Sequence, residues 1–329
     1  MSAAAVELAG TGRYNPDKVL TNAELEEIVD TNDQWITERT GIKERRIARD
    51  DETIAFMGTC ACEQVLEAAG VDVLDVDRIV LGTASPDRLL PSNACDLQAA
   101  LGARNAAAFD VHAACSGFLY GLEVARGMVA TGSARHVLVV GAERLSRVTN
   151  YQDRSTCILF GDGVGATLVR PATRPDAGLL GTYLKSDGTL AELLYRPAGG
   201  AVHPPDAEMM ENGGYYITMA GPEVFKHAVR SMADACDKVL AQAGLGVDDV
   251  DLLIPHQANI RILHATRKHV GLPEDRLYIN VDRYGNTSAA SIPMALDECV
   301  RSGRLQPGMT VMLVAFGGGF TWASALVRW

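Results

Sequence analysis

The chain has 329 residues, 47% of them hydrophobic and 22% charged, and a net charge of −11. That is the composition of a globular protein with a sizeable core, in one large two-part domain or two domains, and its acidity argues against a nucleic-acid partner. Seven scattered cysteines argue against a disulfide framework and favour a reducing cytoplasm. No apolar run approaches the ~18 residues of a membrane span, and the opening MSAAAVELAGTG lacks the basic and apolar regions of a signal peptide. Cys60 and Cys62 are too close together for a zinc knuckle and lack a second pair, so no metal is expected.

Along the chain, DTNDQWITERTG sets an aromatic, Trp35, in a polar segment that reads as exposed. ACEQVLEAAG predicts an amphipathic helix closed by Gly70, followed by an acidic turn and the buried strand DRIVLG. AAAFDVH predicts a second buried strand, and SGFLYGLEVARGMVATG a helix. Cys115 falls at the turn between them. FGDGVGATLVR closes this part, and PATRPDAG, residues 171–178, reads as a link.

The pattern then returns. ACDKVLAQAG leads through an acidic turn to the strand ahead of His256. Cys62 and Cys236 are 174 residues apart, as are Asp77 and Asp251. Further on, Cys115 and Asn286 each lie 17 residues before a helix-ending glycine, Gly132 or Gly303, which sets Cys115 opposite Asn286 at an offset of 171. AFGGGFTWASALVR answers FGDGVGATLVR, and the shorter offset there puts an insertion at AERLSRVTNYQDRST. The chain is therefore expected to be two copies of one α/β unit, residues 1–172 and 173–329, with layered sheets and helices.

Cys115 sits at a helix N-terminus, where aligned N–H dipoles favour the reactive thiolate. The bland alternative is a small buried hydrophobe. His256 follows a strand and precedes a helix; Asn286 lies in YGNTSAASIP, where a helix N-cap is the ordinary role. All three lie just past predicted strands, where open α/β sheets expose ligands, and together they are parts for acyl-thiol chemistry. FGDGVG lacks the GxGxxG spacing, so a nucleotide-binding reading is weak.

AACSGF, HQANIRI, YGNTSAASIP, AFGGGFTW and DTNDQWITERTGIKERR together resemble the β-ketoacyl-acyl-carrier-protein synthase III family, essentially over the whole chain. The resemblance implies a thiolase-like, five-layered α-β-α-β-α fold and a homodimer. It also implies a decarboxylative Claisen condensation of a short acyl-CoA with malonyl-acyl carrier protein, by default from acetyl-CoA, with no cofactor. Cys115 would carry the acyl group, His256 and Asn286 would bind the enolate oxygen, and the N–H groups of Cys115 and Gly318 would form a second oxyanion hole. Trp35 and Arg154 would sandwich the CoA adenine, Arg39 would meet its phosphates, and Asn259 its pantetheine. Leu90 would floor the acyl pocket of the partner subunit. Lys226, Arg261, Arg267 and Lys268 would dock the acidic carrier protein. His112 and Pro222 depart from the family pattern, His112 either perturbing Cys115 or facing the core. The alternatives are a secondary-metabolite synthase with another acceptor and a non-catalytic acyl-binding paralogue.

Overall fold

The computed structural model describes residues 5–174 and 177–329; within the link, Pro175 and Asp176 lie outside the described residues. The first unit runs β1 (Val6–Tyr14), α1 (Asp33–Thr40), α2 (Ile54–Ala69), β2 (Arg78–Gly82), α3 (Asn93–Leu101), β3 (Ala107–Val111), α4 (Gly117–Ala130), β4 (Val137–Arg144) and β5 (Asp162–Pro171). The second runs β6 (Gly178–Ser186), α5 (Gly221–Ala243), β7 (Leu252–Pro255), α6 (Ile260–Val270), α7 (Ser291–Arg301), β8 (Thr310–Gly317) and β9 (Thr321–Arg328). Local chemistry sets the ends. Thr53 caps α2 by accepting the Phe56 N–H, and Gly70 closes it at φ 63°. Pro222 opens α5, a position where its missing N–H costs nothing, and Gly244 closes that helix at φ 66°.

Strand order shows the duplication. One sheet is β1-β5-β4-β2-β3 and the other β6-β9-β8-β7. Each has a parallel pair, β2 with β4 and β7 with β8, followed by antiparallel neighbours. The helix–turn–strand units at Gly70 and Gly244 form as the sequence predicts. The insertion is there too: Leu145 to Gly161 separates β4 from β5, whereas only Gly318 to Phe320 separates β8 from β9.

Side-chain alternation makes the layers. In β4, Val137 and Val139 join the central core with α4 and α7, while Leu138 and Val140 turn outward to α2. In β8, Val311 and Leu313 face the same centre, while Met312 and Val314 face α5 and α6. Strands covered on both faces read as continuous apolar runs, as these do. The result is α2/α3, sheet, α4/α7, sheet, α5/α6.

Three expectations need correction. AAAFDVH is not a buried strand: β3 is a sheet edge, with Ala107 exposed and the rest half-buried. Its counterpart INVDRYG forms a helical turn, Val281–Tyr284, and only a Leu253–Leu277 bridge remains of the fifth strand. Cys115 is not opposite Asn286. The 3-10 turns Ala114–Ser116 and Ser288–Ala290 are the equivalents, 174 residues apart, and Ala114 and Ser288 both have φ 45°. Helices α4 and α7 begin 174 apart and end 171 apart, because α7 is shorter by three residues, nearly one turn. Counting back from Gly132 and Gly303 carried that deletion into the match, and Cys115 in fact answers Ala289.

The two turns cross between units. A Cβ on Gly317 of β8 would lie 2.6 Å from the Cys115 nitrogen, and one on Gly141 of β4 would lie 2.2 Å from the Ala289 carbonyl oxygen. Each unit's turn rests on the other unit's central strand, on a glycine, because backbone meets backbone there. Gly141→Ala should cost ~1–3 kcal/mol by overpacking, read as a drop of several degrees in melting temperature. An unchanged melting temperature would show that the contact yields freely.

Candidate active site

Cys115, His256 and Asn286 line one cavity of about 600 Å³. Trp35, Arg39, Arg154, Asn259 and Arg261 line it as well, with Phe160, Leu194, Met219 and Phe316 on its apolar side. Arg39, Arg154 and Arg261 are exposed, whereas His256 and Asn286 are buried, so the cavity runs from a basic rim to a buried floor.

His256 extends the β7 ladder by one residue, its N–H donating to the Val314 carbonyl at 2.7 Å. Its loop is held by Gln257. That side chain donates to the Pro255 and Tyr278 carbonyls and accepts from the Asn280 and Val281 N–H groups. Burial pushes the imidazole pKa down to about 3, so the ring is neutral. Its Nδ1 lies 2.7 Å from the Ser291 hydroxyl.

Asn286 is clamped across the units. Its N–H donates to the Leu159 carbonyl at 2.8 Å, and its carbonyl accepts from the Gly161 N–H at 3.0 Å. Its Oδ1 accepts the Ser288 N–H at 2.9 Å, which leaves Nδ2 as the free donor. Asn286 is not the helix N-cap expected, since Thr287 and Ala290 hold those positions; its Oδ1 makes a local turn contact and its amide nitrogen is left for the cavity. Behind it lies Arg45, wholly buried, donating to the Leu20 and Ile158 carbonyls and to Asn22 Oδ1.

Cys115 keeps some surface toward the cavity, yet its thiol pKa is pushed up to about 12, first by burial, with Glu143 adding to the rise and the Ser288 hydroxyl opposing it. Desolvation thus opposes the pull of the helix N-terminus on the thiolate. Among the described residues, neither the Cys115 nor the Gly318 N–H donates to a backbone carbonyl, so both are free for a ligand oxygen.

Sequence reasoning missed Glu143, Ser288, Ser291, Gln257, Arg45 and Gly317. Glu143 is fully buried, accepting from the Ser85 hydroxyl at 2.5 Å and the Ala84 N–H at 3.1 Å. Burial raises its pKa to about 7. Ser288 has a φ of the kind that marks special sites, but no sequence pattern announces it.

The sequence profile for 3-oxoacyl-[acyl-carrier-protein] synthase III matches residues 109–188, and that for its C-terminal part residues 240–329. A β-ketoacyl-[acyl-carrier-protein] synthase III of Caldanaerobacter subterraneus is 51% identical over 325 residues, 99% of this chain and 98% of that protein. The chain belongs to the 3-oxoacyl-[acyl-carrier-protein] synthase III family. The same enzyme of Roseiflexus castenholzii is 51% identical over 98% of this chain and 97% of that one. The crystal structure of 3-oxoacyl-[acyl-carrier-protein] synthase III from Aquifex aeolicus superposes with a TM-score of 0.91 at 46% identity, covering 98% and 100% of the two chains. The fold is thiolase-like, and the chain is a condensing acyltransferase.

Within that family frame, the rim residues differ in their free surface. Trp35 is half-buried rather than exposed, with the Arg154 guanidinium 4.7 Å and that of Arg39 4.9 Å from its ring centre. Gly41, which ends α1 at φ 77°, sets that helix against Ile260 and so beside Asn259. Asn259 Oδ1 caps α6, accepting from Arg261 and Ile262. Arg261 stacks over Phe225 at 5.1 Å, Lys226 lies 3.8 Å from Glu223, and Lys268 is exposed.

Arg267 does not join them. It is half-buried and donates to the Leu272 carbonyl at 2.7 Å, closing the end of α6. Six residues from Arg261 is not the same helical face, whereas seven is. Leu90 is 86% exposed and does not line this chain's own cavity. His112 faces solvent, away from the core, and Pro222 lines the rim.

Glu143 gives a pH test. Its folded pKa lies above the ordinary 4.5, so between pH 4.5 and 7 the native state holds a proton that the unfolded state has lost. Stability falls as pH rises through that window and levels off above it. The melting temperature of the protein relative to Glu143→Gln should fall from pH 4.5 to 7. A constant difference would mean the carboxyl is ionised throughout.

Proposed function

We propose that this chain performs its family's initiating condensation of fatty acid synthesis with Cys115 as the acyl carrier. The reaction is a decarboxylative Claisen condensation: acyl-CoA and malonyl-acyl carrier protein give 3-oxoacyl-acyl carrier protein, CoA and carbon dioxide. The observation that carries the assignment is the shared cavity of Cys115, His256 and Asn286 below a basic aromatic rim.

In the first half-reaction the Cys115 sulfur attacks the thioester carbonyl, the bond from the acyl carbon to the CoA sulfur breaks, and the thiol proton ends on that sulfur. The free Cys115 and Gly318 N–H groups receive the carbonyl oxygen as it gains charge. In the second, malonyl thioester loses carbon dioxide and charge builds on its carbonyl oxygen. His256 Nε2–H and Asn286 Nδ2 donate to that oxygen. The enolate carbon then attacks the acyl-Cys115 carbonyl, the bond from the acyl carbon to the Cys115 sulfur breaks, and the sulfur takes a proton from water. A neutral imidazole suits this role, since a donor is needed and not a base.

Trp35 and Arg154 would hold the adenine, Arg39 the phosphates and Asn259, through its free amide nitrogen, the pantetheine. With Arg154 already on Trp35, a base enters only if the guanidinium withdraws by about 3.5 Å, one van der Waals layer. Arg261, Lys226 and Lys268 form the carrier-protein patch; Arg267 is no longer part of it. The chain, built of the two units 1–172 and 173–329, pairs with a second copy of itself as a homodimer in which Leu90 of each chain floors the partner's acyl pocket. The enzyme acts in the cytoplasm on diffusible substrates, acetyl-CoA by default, with no cofactor beyond the substrate CoA.

Intact-protein mass spectrometry after incubation with acetyl-, isobutyryl- and octanoyl-CoA should show a mass gain that Cys115→Ala abolishes. The gain should discharge on adding malonyl-carrier protein, and the preferred acyl group identifies the primer. His256→Ala and Asn286→Ala should still acylate while condensation falls ~10²–10³-fold each. No acylation from any CoA would overturn the reading. Because the base displaces Arg154 from the ring, Trp35→Ala should weaken acyl-CoA binding by less than the ~5- to 150-fold of a full base–aromatic stack of ~1–3 kcal/mol; calorimetry with unchanged affinity would place the adenine elsewhere.

A further inference from the structure

We infer that Ser291 is a positioning residue for the condensation half-reaction: its hydroxyl donates to His256 Nδ1 and thereby keeps the imidazole proton on Nε2, facing the cavity. The inference rests on the reading of His256 as the donor to the enolate oxygen. A neutral imidazole has a single N–H, and the enolate oxygen needs it on Nε2. Something must therefore hold Nδ1 as an acceptor.

The contact is built for that direction. Ser291, His256 and Gln257 are all nearly water-free, at 2%, 2% and 1% exposure. The Ser291 oxygen lies 2.7 Å from His256 Nδ1 and 3.4 Å from the Gln257 nitrogen. The Gln257 N–H can only donate, so the serine oxygen accepts there, and among the described residues Nδ1 is the one acceptor within reach of the hydroxyl's own proton. Burial drives His256 toward the neutral form, which removes the alternative in which both nitrogens carry protons.

The ordinary role of a serine at the start of a helix is not the one found. Ser291 is the first residue of α7, and no side chain caps that helix. Its equivalent at the 174-residue offset is Gly117, which has no side chain at all. The hydroxyl is thus peculiar to the unit that carries His256, and it reaches His256 from a different element, 35 residues away in sequence.

Ser291→Ala and Ser291→Thr test this with acetyl-CoA and malonyl-carrier protein as probes. In Ser291→Ala, Cys115 acylation should stay within about twofold, while condensation falls ~10- to 10²-fold, short of the loss on deleting a donor outright. Ser291→Thr, which keeps the hydroxyl, should recover most of that loss. Nitrogen-15 NMR of the histidine-labelled protein, with His256 assigned by its absence in His256→Ala, should show Nε2–H in the native enzyme and a mixed population in Ser291→Ala. An unchanged tautomer, unchanged condensation, or equal loss of both half-reactions would overturn the proposal. Failure of the native chain to acylate would instead overturn the underlying mechanism.

Discussion

Everything at the cavity depends on two backbone contacts that cross the molecule. The Cys115 turn lies on Gly317 of the second unit's central strand, and the Ala289 turn lies on Gly141 of the first's. At such distances no side chain fits between, so the two units are locked in register through their main chains. That lock decides where the reactive groups can be. Cys115 is supplied by one unit, His256 and Asn286 by the other, and Asn286 is pinned in turn to Leu159 and Gly161 of the first. Neither unit holds the site alone.

The electrostatics of the floor follow from this enclosure. Burial pushes the thiol up and the imidazole down, and pushes Glu143 upward as well. Each group is moved toward its uncharged form, for the same reason. Oriented N–H donors at such a floor are already in place and need no reorganisation, which suits them to a nascent oxyanion. The rim cations Arg39, Arg154 and Arg261 stay in water, and the one guanidinium close to the floor, Arg45, is held by the Leu20 and Ile158 carbonyls and Asn22.

Much of this was legible beforehand. The duplication showed in the paired helix–turn–strand segments, because their spacing and glycine stops are dictated by local structure. Cys115 and His256 are legible because turns that follow strands place residues at the open ends of sheets; Asn286 follows the helical turn Val281–Tyr284 instead and is legible only through its motif. What stayed hidden depends on contacts between distant segments. Ser291 looks like any helix-start serine until His256 is seen beside it. Gly317 looks like one of three turn glycines. Arg267 looks like a surface cation, and only the fold shows its guanidinium spent on Leu272. The offset error has a similar origin: a one-turn deletion inside α7 leaves the pattern of apolar residues intact while moving everything counted across it. At Cys115 the helix N-terminus can be read from the sequence, and the desolvation that opposes it cannot.

Trp35 is never bare: in the free protein its face is covered by the chain's own guanidinium. An adenine held there, as proposed above, trades one flat partner for another, so the ring contributes only the difference between two stackings. Such an exchange gives recognition without a deep trap. The guanidinium that leaves the ring is the one that can return to it, so the indole keeps a flat partner whether or not a ligand is present.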